Sequence, residues 1–186
     1  MGRTIRLAGI LALLVVLVSS GAGAGTDDFL IQRGKVGKLS VGMLVTDIWK
    51  FYPRASIKGG FLYSEGIPGP VIEIRLPSGQ KKPSLIVGLD ETKDHRNTVV
   101  RGIDARDARF KTVMGIGPGS TIRSVRSVVG ALTIESFEGG TILHSDELRM
   151  SFSLDSDEKG LYDSGGDLKA VAELPGEIQI QSVWVY

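Results

Sequence analysis

His144-Ser145-Asp146 brings the three side-chain types of a serine hydrolase into one short stretch. The order is not the geometry. Proton relay needs hydroxyl, imidazole and carboxylate hydrogen-bonded in series, whereas neighbours in a strand point to opposite faces. The other histidine, His95, lies in a charged segment, and neither histidine sits in a zinc-binding spacing. Asp90-Glu91, Asp146-Glu147 and Asp157-Glu158 supply paired carboxylates. A glycosidase holds such groups facing one another across a substrate; adjacent acids on loops face water. Gly115-Ile116-Gly117-Pro118-Gly119-Ser120-Thr121 is a glycine-rich loop opening a helix, where anions bind. It lacks the lysine of a P-loop and the spacing of a dinucleotide fingerprint. A structural turn and helix cap is the expectation. No catalytic, metal-binding or cofactor-binding residue is assigned, and no cofactor is expected.

The densest basic run is Arg101, Arg106, Arg109, Lys111, Arg123 and Arg126, set against Asp104 and Asp107. Brought together, these side chains would form a surface for an acidic protein, polysaccharide or lipid headgroup. Spread along a sheet edge, they would instead guard it against pairing.

The elements that position these residues follow from periodicity. Val45, Ile48, Trp49 and Tyr52 share one face of a helix predicted over 45–52, which Pro53 stops. Ile122, Val125, Val128 and Val129 do the same over 122–129, with Thr121 as a cap and Gly130 as terminator. Strand patterns lie at 71–76, 85–89, 98–103, 132–134, 141–143, 148–154 and 178–185. Each helix follows a glycine, at Gly42 and Gly119, and precedes a run of strands. An internal repeat is the natural reading. The expected fold is α+β, with two tandem units (25–110 and 111–186), each a short helix packed on an antiparallel β-meander.

Residues 1–24 read as an export signal. Arg3 and Arg6 precede an apolar run over 7–18, and Ala22-Gly23-Ala24 fits a cleavage site. That run is shorter than the ~20 residues needed to span a bilayer, so no stable membrane insertion is expected after cleavage. Losing Arg3 and Arg6 leaves 20 basic against 21 acidic residues. Near-neutrality argues against nucleic acid. The chain has no cysteine, which excludes disulfides, thiolate metal sites and a cysteine nucleophile.

Gly37-Lys38-Leu39-Ser40-Val41-Gly42-Met43…Asp47-Ile48 and Gly115-Ile116-Gly117-Pro118-Gly119-Ser120-Thr121…Val125 resemble the helix-opening motif of SmpA/OmlA-like and β-lactamase-inhibitor-protein-like modules. These are small exported bacterial proteins. The resemblance covers two windows of about a dozen residues each. It implies a helix-on-sheet fold used for protein contacts, without catalysis. Leu44 stands where the second copy has the capping Thr121, and Ser124 stands where the pattern has an acid. SmpA-type proteins are lipid-anchored, which a chain without cysteine is not. The expectation is a periplasmic or secreted, soluble, non-enzymatic interaction module with a protein partner in the cell envelope. The alternatives are a small hydrolase of envelope polymers, or an inhibitor of a secreted enzyme presenting residues 59–69 or 155–167.

Overall fold

The computed structural model describes residues 27–64, 67–77, 81–92, 96–137, 140–154, 160–163 and 166–186. The leader expected over 1–24, together with His95 and Asp157-Glu158, lies outside them. Strands dominate. A small sheet joins β1 (Leu30–Gln32), β2 (Lys35–Val36), β3 (Leu39–Ser40) and β8 (Lys111–Thr112) in the order β3-β2-β1-β8. The large sheet has eight strands: β4 (Ile57–Ser64), β5 (Ile67–Ile74), β6 (Leu85–Glu91), β7 (Thr98–Ala105), β9 (Thr133–Phe137), β10 (Gly140–Ser145), β11 (Met150–Leu154) and β12 (Ile180–Val185). Its order is β4-β5-β6-β7-β12-β11-β10-β9, antiparallel throughout. Helices α1 (Val45–Ile48) and α2 (Ile122–Val128) are short.

The expected pair of helix-on-meander α+β units is therefore corrected to a mostly β fold built on one continuous sheet. β7 pairs with β12 in the middle of that sheet, and β1 pairs in parallel with β8. Both contacts cross from residues before 110 to residues after it. Pleating explains the single core, because alternate residues of every strand reach the same face. Ile57, Ile74, Leu85, Ala105, Val183, Phe152, Leu143 and Ile134 form one row of cross-strand partners over all eight strands. Most of that row joins Ile31, Leu39, Ile48, Phe110, Ile122 and Val125 in one cluster.

Helix α1 is one turn, half of the predicted length. Leu44 at its N-cap makes no side-chain cap bond, and a nucleus this short gains little from propagation. With the helical period cut off after Ile48, Tyr52 stays buried but Trp49 is exposed, against expectation. In α2, Thr121 Oγ1 accepts from the Ser124 N–H at 3.2 Å, so the expected cap is present. Ile122, Val125 and Val129 are buried, while Val128 is exposed.

Candidate functional site

The six basic residues do not form one surface. Arg101 and Arg106 belong to the face of the large sheet away from the core. Arg101 lies beside Gly88 and Gly69, and Arg106 Nε donates to Asp104 Oδ2 at 2.7 Å. Arg109 sits past the end of β7. It grips Asp107 through Nε at 3.0 Å and Nη2 at 2.7 Å, and its guanidinium lies 4.6 Å from the Phe29 ring centroid. Lys111 donates to the Pro118 carbonyl, and its burial lowers the ammonium pKa. Arg123 and Arg126 are on α2, on the core side, where Arg126 Nη1 donates to the carbonyls of Val171 and Ala172. Sequence proximity concealed three locations, and four of the six side chains are held by intramolecular partners.

Asp107 is a buried charge, which the sequence showed only as a counterpart to the basic run. The Arg109 hydrogen bonds hold its carboxyl below the usual carboxylate range; burial opposes them, and the Arg109 N–H and Ser84 hydroxyl assist. Asp104 behaves oppositely. Burial pushes its pKa up, while Arg106, and Ser182 from outside hydrogen-bond geometry, pull the other way. Its Oδ1 has no hydrogen-bond partner. The D-x-R spacing of Asp104/Arg106 and Asp107/Arg109 was the available signal.

His144 and Ser145 point to opposite faces, as strand alternation requires. Ser145 is buried on the core side, and its Oγ accepts from the Leu148 N–H. On the other face His144 meets residues of the neighbouring strands: Nδ1 is 2.8 Å from Ser151 Oγ, and Nε2 is 3.3 Å from Glu135 Oε2. A serine relay uses the imidazole nitrogens the other way round, with Nε2 toward the hydroxyl. Ser151 is buried between β10 and β12, so its backbone neighbours are engaged in the ladder. Among the described residues no metal-binding group of acids and histidines occurs.

The glycine loop is a turn. The first N–H groups of α2 are already bonded, from Ile122 to the Ile178 carbonyl and from Arg123 to the Gly176 carbonyl. Gly119 N–H donates to the Ile180 carbonyl. Most of the N–H groups that would cradle a phosphate there are thus spent on backbone partners. Gly117 is required because a Cβ would strike the Phe110 carbonyl.

Two further features remain. A crevice of about 290 Å³ lies between Phe29, Phe51, Pro53, Leu76 and Pro77, with the Lys38–Asp28 pair (3.2 Å) at its rim. Burial there, helped by Asp28, pushes the Tyr52 hydroxyl up to about 12. The second feature is the β4–β5 hairpin, whose outer residues 59–69 the sequence reading offered as a loop. Its outer part exposes Phe61 (67%), Tyr63 (72%) and Ile67 (70%), with Leu62 also exposed. β6 pairs with β5 only from Val71 onward, so residues 67–70 form no ladder with it.

No family model and no curated protein sequence matches the chain. Among solved structures, the fold is similar to the crystal structure of the uncharacterized protein yfeY from Escherichia coli. The TM-score is 0.58 over 84% of this chain and 98% of that one, at 12% sequence identity. At that identity the likeness shows the fold alone. The resemblance to SmpA/OmlA-like and β-lactamase-inhibitor-protein-like modules rests on the two sequence windows.

Proposed function

We propose that this chain is an exported, non-enzymatic protein-interaction module of the bacterial cell envelope, and that its contact surface is the outer β4–β5 hairpin. The observation that carries this reading is the exposure of four large apolar side chains on the outer part of one hairpin, Phe61 and Tyr63 on one face and Leu62 and Ile67 on the other. Large apolar groups scattered singly on a surface need no explanation, but a contiguous cluster marks a contact site. Aromatic side chains on a two-stranded support lose little entropy on binding and bury a large area. Export rests on the leader pattern of residues 1–24.

The test is crosslinking and pull-down from cells, comparing the wild type with the double variant Phe61→Asp/Tyr63→Asp. A protein enriched by the wild type and lost with the variant supports the reading. Equal recovery by both sinks it.

A small hydrolase is the second reading: Ser151, His144 and Glu135 stand in one row, with the imidazole reversed relative to a serine relay and Ser151 buried. His144→Ala would then abolish turnover of an ester or glycan substrate while leaving hairpin-dependent capture intact. Loss of neither function with this variant removes the enzyme.

A further inference from the structure

We propose that the partner at the hairpin is a second copy of this chain, paired antiparallel through β4 about a two-fold axis at Gly60. This inference rests on reading the hairpin as an interaction surface.

The first argument is the state of the edge. β4 ends the eight-stranded order, and its eight residues pair with β5 without a bulge. Arg75 N–H donates to the Ser56 carbonyl. Antiparallel ladders alternate, so Lys58, Gly60 and Leu62 turn their backbone groups toward β5. Ile57, Gly59, Phe61 and Tyr63 turn theirs outward. Among the described residues, only the Ile57 N–H of these has an internal acceptor, the Arg54 carbonyl. Natural edges are blunted by prolines, bulges or charges. Here the hairpin's other margin carries Pro68 and Pro70, whose missing N–H groups face the side where β6 makes no ladder. β4 itself has neither proline nor bulge and a single charge, Lys58. One margin is closed and the other is left able to pair.

The second argument is self-complementarity. With Gly60 facing Gly60 across the axis, Gly59 of one copy faces Phe61 of the other, and Ile57 faces Tyr63. A Cβ built on Gly59 meets nothing within 4 Å, so there is open space for the opposing ring. Aromatic groups covering cross-strand glycines and β-branched residues are favourable pairs. Lys58 faces Leu62 and not another Lys58, so no like charges are opposed. The two large sheets would run into one, with their core faces on the same side.

The test uses the full chain as expressed and exported, which has no cysteine of its own. In Gly60→Cys the new side chain meets only Val71 and Glu73, at ordinary contact distances. Gly60–Gly60 would be a non-hydrogen-bonded pair, whose Cα separation lies within the disulfide range. Mild oxidation is expected to give a covalent dimer of Gly60→Cys, and none of Gly59→Cys or of Glu135→Cys on the opposite edge. Sedimentation equilibrium should give twice the chain mass for the wild type. Phe61→Asp should weaken association by roughly 30-fold or more, as for a buried aromatic hot spot. A wild type that sediments as a monomer at every concentration, or crosslinking equal at all three cysteine positions, overturns the proposal. If Phe61→Asp/Tyr63→Asp nonetheless loses a captured cellular protein, the interaction reading stands and only the second copy is removed.

Discussion

The large sheet has two free edges, finished in different ways. β9 carries Glu135 at its centre, and its Ser136 hydroxyl is bonded at 2.7 Å to Tyr162, which folds across from a distant segment. β4 has no such cover among the described residues: two glycines, then Phe61, Leu62 and Tyr63 in the open. Both strands belong to the same sheet and the same core, so stability alone does not require the contrast. The difference teaches that exposure at β4 is a property of that edge and not of this fold's strands in general.

The first way to break the comparison is to show that β4 is part of the folding core after all. Phe152→Ala, in the buried middle row, should cost about 3–5 kcal/mol, read by urea unfolding at low protein concentration. Phe61→Ala under the same conditions should change stability by less than about 0.5 kcal/mol. A large loss from Phe61→Ala would mean that the hairpin supports the chain itself. Next in size is the centre of the sheet's open face, where the Trp184 indole lies on Gly88 and Gly102. A Cβ on Gly102 would come within 2.5 Å of the indole. Gly102→Ala should cost about 1–3 kcal/mol and shift the tryptophan emission, without changing the mass in solution. An unchanged spectrum would contradict that packing.

Asp107 sharpens the comparison from the buried end. Its pKa is lowered on folding, so its contribution is fully present above the unfolded value, about 3.9. It is lost as the pH falls through the lower folded value. Asp107→Asn should cost about 1–3 kcal/mol near neutrality, toward the lower end because Arg109 is 39% exposed and screened by water. The variant should also lose part of the acid limb of the stability profile, and an unaltered limb would refute the assignment. The smallest effect is expected at the other edge. Tyr162→Phe removes the bond to Ser136 and should quicken amide exchange in β9 while leaving the mass unchanged. Concentration-dependent association of this variant would mean that the two edges do not differ as described.

Much of the interior was legible because burial imprints a period. β11 alternates around Met150, Phe152 and Leu154, and β6, β7, β10 and β12 show comparable apolar patterns. β4 left no such imprint. Gly59 and Gly60 carry no side chain to alternate, and Phe61, Leu62 and Tyr63 are exposed on both faces, so the run read as a loop. The β7–β12 join was illegible for another reason: it links positions far apart in the chain, and local pattern carries no register between them. The arginine surface failed because spacing along the chain does not say which face of the sheet, or which element, a side chain occupies. The cap at Thr121 was readable, since a cap is local, whereas the early end of α1, expected to run to Tyr52, was not.

Amide exchange along β4, followed residue by residue in the wild-type protein, tests the central claim most directly. The N–H groups of Lys58, Gly60 and Leu62 bond to β5, and those of Gly59, Phe61 and Tyr63 point outward. If two copies pair through β4, both sets are protected, and the outward set loses its protection on dilution. If the outward set exchanges at the rate of free amides at every concentration, the edge is uncovered and the pairing of two copies through β4 is wrong.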